Sequence, residues 1–196
     1  MNTKLITVEE ILDLEEYAQV RDAHRSAAIA ARRTRRVELG PFISVAFESR
    51  ELLRYQIHEM LHSEQSSSTD ARLGELEAYN ALLPGHGFLS ATLFIELTDE
   101  DTMRNWLGAL VGIEHHLVLC HPDGTVNRSV PERGHASALT RTDATSAVHY
   151  LQLPVSTSRV EYGCALGVDH PAFRVEVSLT DELVDALNRE LGHPQN

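Results

Sequence analysis

Five consecutive residues, His58-Glu59-Met60-Leu61-His62, spell the H-E-x-x-H pattern of zinc hydrolases. On a helix the two imidazoles stand four residues apart on one face and can reach a single cation. The Glu59 carboxylate beside them is then placed to act as the base that activates a metal-bound water. Such a site needs a third protein ligand. The extended pattern asks for Gly and His further on, where this chain has Gln65 and Ser68. Glu75, Glu77 and Glu96 are acidic candidates downstream, and the spacing singles out none of them.

A second set of ligand types is His149 and the run Asp169-His170-Pro171. With Glu59 they make two imidazoles and one carboxylate, a donor set suited to non-haem iron with open positions. Asp169 could orient a histidine ligand from behind. This reading expects His149 and His170 on neighbouring strands. The plainer alternative makes His149 a satisfied core histidine and Asp169-His170-Pro171 a structural turn. His115, His116, Cys120 and His121 gather soft donors near a hairpin. Strand alternation puts Cys120 and His116 on one face and His121 on the other. The Arg32–Arg36 run offers guanidinium groups to an anion or an acidic partner. It also suits the negative end of a helix with no ligand at all.

The elements that must position these groups follow from periodicity and punctuation. Thr7 and Glu10 read as a capping box, followed by Ile11, Leu14, Tyr17, Ala18, Arg21 and His24 at helical spacing. That helix is expected to run into the Arg32–Arg36 stretch. Gly40-Pro41 interrupts a β-prone run from Val37 to Phe47. Ser49 caps a helix from Arg50 to Glu64, which carries the His-Glu pattern. A Ser-rich loop near 65–70, expected to be mobile, precedes a helix from Ala71 to Leu82. Strands are expected over Phe88–Leu97, His116–Cys120, Thr125–Val130, Ser146–Leu153, Cys164–Val168 and Phe173–Leu179. A short helix after Asp99 and a last one over Asp181–Leu191 complete the pattern, with a polar loop from Pro131 to Thr145. Helices first and then strands with short turns predict an α+β fold in one domain over 1–196. Its largely antiparallel sheet has N-terminal helices and a C-terminal helix.

Composition narrows the function classes. The 196 residues carry a formal net charge of -12, which opposes nucleic-acid binding through phosphate repulsion. No apolar run is long enough to span a membrane, and no basic, then apolar leader opens the chain. Cys120 and Cys164 form no Cys-x-x-Cys pair and read as small buried thiols, so a cytoplasmic setting is expected. A homodimer is a base-rate expectation.

Five segments carry a resemblance. They are Arg35-Arg36-Val37-Glu38-Leu39-Gly40-Pro41, the stretch from Arg54-Tyr55-Gln56-Ile57 through Glu59-Met60-Leu61, Glu77-Ala78-Tyr79-Asn80, Ser146-Ala147-Val148-His149-Tyr150-Leu151, and Gly167-Val168-Asp169-His170-Pro171. In this order they resemble an uncharacterised bacterial family, domain of unknown function 3501. The resemblance implies a metal or redox context, with iron–sulfur and rubrerythrin-like proteins as expected partners. It also implies Gln at position 58 and Arg at position 62, so both histidines of the zinc pattern are departures around a shared Glu59. Three readings follow. The first is a metal-binding or redox-associated protein with iron at Glu59, His149 and His170. The second is a non-catalytic interaction module that uses the acidic surface and Arg32–Arg36. The third is a zinc hydrolase built on His58, Glu59 and His62.

Overall fold

The computed structural model describes residues 5–132, 143–155 and 159–192. Much of the stretch expected as a polar loop, Pro131 to Thr145, lies outside the described residues. The first long helix, α1, spans Leu14–Thr34. Its capping box is Asp13 with Glu16 rather than Thr7 with Glu10, and Val8–Glu10 form only a single 3-10 turn. The reason is tertiary. The Leu12 N–H donates to His58 Nε2 at 3.0 Å, outside any helical ladder, while Ile6 and Ile11 are buried.

Helix α2 spans Arg50–Ser63, and Ser49 accepts from the Leu52 N–H as its cap. Helix α3 spans Thr69–Asn80, starting two residues before the expected Ala71 because Ser68 caps it through the Ala71 N–H. Ile6, Ile11, Leu53, Ile57, Leu61, Leu76 and Leu83 form an apolar cluster among these helices. Burying each large side chain there contributes about 1.5–3 kcal/mol.

The strands build two antiparallel sheets, where the sequence had suggested one. The first runs β1 (Arg36–Glu38), β2 (Ile43–Phe47), β3 (Phe88–Ile95), β7 (Val148–Pro154) and β6 (Val130–Pro131). The second runs β5 (Val126–Arg128), β4 (Leu117–Cys120), β8 (Ala165–His170) and β9 (Phe173–Ser178). The chain changes sheet at Ser129, between β5 and β6. Ser129 is buried, its N–H donates to Leu117 O and its hydroxyl donates to Glu114 O. A buried residue with both groups satisfied can hold that corner.

Inward-facing residues of both sheets share one core, including Ile43, Val45, Leu93, Leu151, Leu117, Leu119 and Leu166. Helix α4 (Glu100–Ala109) seats Trp106 against Phe42, with ring centroids 4.5 Å apart. Helix α5 (Asp181–Glu190) adds Leu183, Val184 and Leu187 to that core. Strand β8 runs through Asp169 and His170, so the hairpin turn is Pro171-Ala172 and the expected break comes two residues later. Among the described residues, no helix is long and apolar enough to cross a membrane.

Candidate functional site

Glu59 leaves α2 toward α1. Its Oε1 accepts from the Tyr17 hydroxyl at 2.7 Å and from Arg21 Nε at 2.8 Å, and its Oε2 accepts from the Arg21 terminal nitrogen at 2.9 Å. The Arg21 hydrogen bonds, opposed by burial, hold the carboxyl down at about 2. Burial and the neighbouring Glu59 push the Tyr17 phenol up. A carboxylate so weakly basic, with both oxygens occupied, is poorly matched to general-base work at neutral pH.

His58 is also committed. Its Nδ1–H donates to Arg54 O at 2.9 Å, and its Nε2 accepts the Leu12 N–H. The Tyr17 ring stacks on it, with centroids 4.7 Å apart, and meets His62 edge-on. To bind a metal, His58 would have to give up one of those hydrogen bonds. His62 Nδ1 is enclosed without a hydrogen bond among the described residues.

Burial lowers the pKa of His58. Below its ordinary value of about 6.5 the unfolded chain therefore binds more protons at this position than the folded one does. Stability is expected to fall as pH drops from about 7 toward 5. His58→Gln offers the same donor and acceptor without a titrating proton, and should remove the part of that slope due to this residue. Melting curves at several pH values for both proteins check this. Gln is the residue that the resemblance implies at this position.

The iron set is not brought together. Glu59 lies in the helical layer, His149 on β7 of the first sheet and His170 on β8 of the second, so the two histidine strands are not neighbours. The sheet change at Ser129 separates them. His149 is fully buried, and its Nε2 donates to Ser146 O at 2.8 Å; its Nδ1 stands 3.9 Å from Glu114. His170 Nε2 donates to Val111 O at 3.1 Å, and Nδ1 accepts the Ala172 N–H at 3.2 Å, which stiffens the β8–β9 turn.

Asp169 orients a histidine, but it is His116, through Nδ1 at 2.9 Å, rather than His170. It also takes a bidentate grip from Arg128 at 2.7 and 2.6 Å, the main reason its carboxyl sits at about 2. Alternation along β8 buries His170 and turns Asp169 outward. Among the described residues, no three His, Cys, Asp or Glu side chains are grouped to hold a metal ion.

Around the β4–β5 hairpin, Asn127 Nδ2 donates to His121 Nε2 at 2.8 Å, and His121 Nδ1 stands 3.6 Å from Cys164 Sγ. The proton on Nδ1 leaves this imidazole nothing with which to accept the thiol proton. Burial raises the Cys164 thiol, and burial with Glu176 pushes Cys120 up to about 11. Neither thiol is poised as a nucleophile.

A different group does converge. The C-terminal end of α1, one face of α2 and strands β2, β3 and β7 enclose a cleft of about 410 Å³. Its polar lining includes Arg32, Arg35, Glu48, Gln56, Thr92 and Tyr150. Arg35 is buried and paired with Glu190 of α5 at 2.9 Å, while Arg36 is taken by Glu38 and Glu96. Arg32 lies over the Tyr55 ring, 5.6 Å from its centroid. Among the described residues it makes no ion pair or hydrogen bond through its guanidinium. The Glu48 carboxyl accepts from Thr92 Oγ1 at 3.0 Å. Burial raises its pKa, and the Thr92 hydrogen bond and the nearby Arg32 and Arg35 charges only partly offset that. A carboxyl perturbed in this way inside a cleft is a functional-site signature.

The family described as Protein of unknown function (DUF3501) matches residues 5–191. The chain belongs to this family. The crystal structure of a novel protein of unknown function from Burkholderia pseudomallei K96243 shares the fold. Its TM-score is 0.84 at 31% identity, covering 95% of this chain and 99% of that one. No curated protein matches the chain.

In this DUF3501 chain the segments that carried the resemblance point to the cleft more than to the histidines. Arg35 and Arg36, Gln56, and Tyr150 come from three of them and line it. Tyr79, from a fourth, feels the charges of Glu48, Arg32 and Tyr150. Sequence reasoning named the arginines and passed over Glu48, Gln56, Thr92 and Tyr150. The matched segments themselves were the signal that could have found Gln56 and Tyr150.

Proposed function

We propose that this DUF3501 protein is a non-catalytic binding module whose working site is the cleft beneath Arg32. The observation that carries this reading is a guanidinium and a carboxyl in one cleft that do not neutralise each other. Arg32 is held by Tyr55 with its hydrogen-bond donors available. Arg35 and Arg36 are already paired with carboxylates of α5, β1 and the end of β3. Pre-set polar groups in a cleft of this size suit a small ligand or the charged end of a partner chain.

The test is binding of acetate and of inorganic phosphate, followed by NMR at the Arg32 guanidinium and the Gln56 amide. Arg32→Ala is expected to weaken the better probe about tenfold, the scale of one charge-assisted contact. Shifts that ignore the substitution would end the reading. The resemblance makes an iron–sulfur or rubrerythrin-like protein the first macromolecule to try. Such a complex should weaken as salt rises past physiological strength.

The redox-enzyme and hydrolase readings lead to elemental analysis of untagged protein instead. Stoichiometric iron would revive the redox reading, with Glu59, His149 and His170 tested one by one because the fold keeps them apart. Stoichiometric zinc would bring His58 and His62 back as candidate ligands.

A further inference from the structure

We infer that the ligand of the cleft is zwitterionic, a small molecule carrying one carboxylate for Arg32 and one ammonium group for Glu48. This rests on the binding reading above and adds the ligand class. The argument is charge balance. Of the three arginines lining the cleft, Arg35 is matched by Glu190, and Arg36 by Glu38 and Glu96. That leaves one cation, Arg32, and one anion, Glu48, which form no ion pair with each other.

Glu48 keeps a single hydrogen bond, from Thr92, in a half-buried setting where an ionised carboxylate is poorly solvated. A ligand bearing only a carboxylate would satisfy Arg32 and bring a second negative charge toward Glu48. One bearing only an amine would satisfy Glu48 and approach the Arg32 charge without compensation. A molecule with both poles meets each group with its opposite and leaves no net charge enclosed. Gln56, whose side-chain amide makes no hydrogen bond among the described residues, lies in the same lining and can donate or accept between the poles. The volume of about 410 Å³ admits a molecule of amino-acid or dipeptide size.

The experiment uses the full chain at pH 7.5 and three matched sets of probes, read by calorimetry and by NMR at Gln56 and Arg32. The amino acids are glycine, 4-aminobutanoate and 6-aminohexanoate. Each is compared with the carboxylate and the amine of the same chain length. The expected result is that at least one amino acid binds about tenfold tighter than either of its half-molecules. Glu48→Gln keeps a carbonyl for the Thr92 hydroxyl and removes the charge, and should reduce that amino acid to the level of its carboxylate. If Glu48→Gln fails to fold, the wild-type comparison decides alone.

Carboxylates that bind as tightly as the amino acids at every length, and still depend on Arg32, would overturn the zwitterion and leave the binding module standing. Failure of every probe, acetate and phosphate included, would overturn both.

Discussion

Replacing Glu59 with alanine is expected to destabilise the protein by about 3 kcal/mol in urea unfolding. The Tyr17 hydroxyl is enclosed and has Glu59 as its acceptor, so truncation leaves a buried donor unsatisfied at about 1–3 kcal/mol. The bidentate contact with Arg21 is lost at the same time. Glu59→Gln should lie between the two, because an amide oxygen can still accept from Tyr17. The pH dependence has a definite sign. The carboxyl sits at about 2 in the folded state, below its ordinary value of about 4.3. Its contribution is therefore fully present above about 4.3 and is lost as pH falls toward 2. A Glu59→Gln protein as stable as the wild type, but stripped of a zinc-dependent hydrolysis, would instead place this residue in catalysis.

Gly167→Ala is expected to cost about 3 kcal/mol, at the upper end for overpacking. A Cβ at Gly167 would lie 2.6 Å from the carbonyl oxygen of Val175, nearer than real Cβ contacts come. The obstacle is backbone, and it cannot swing aside as a side chain would. Gly167 pairs with Glu176 in the middle of the β8–β9 ladder, so relief requires prying the edge strand away. Urea midpoints and amide protection along Phe173–Ser178 report the loss. Unchanged protection in β9 would show that the ladder tolerates the added methyl.

Much of the secondary structure was legible because it is local. Ser49, Asp99 and Thr180 cap helices where their side chains reach the backbone N–H groups three residues on. Alternation in β7 sends His149, Leu151 and Leu153 inward as written. Thr7-Glu10 misled because the competing interaction, Leu12 N–H to His58, crosses 46 residues. The division into two sheets was hidden for the same reason. Ser129 is an ordinary residue in the sequence and becomes a corner only when Leu117 and Glu114 meet it.

The candidate site was partly legible. His58 and Glu59 do share a helix, but their partners, Tyr17, Arg21 and Leu12, come from a segment that no short motif includes. Glu48 gave no warning at all, since its burial depends on β3 and α2 closing over it.

The helical cluster around Ile57 and the core between the sheets have no residue in common. Backbone deuterium uptake should therefore come in two tiers. The amides of α3 and of the segment before α1 should exchange through openings that leave β3 and β7 protected. Gln56 belongs to α2, Phe47 and Thr92 belong to the first sheet, and all three border the same cleft. Whatever occupies that cleft bridges the two tiers, and its presence should be registered as slowed exchange far from any atom it touches.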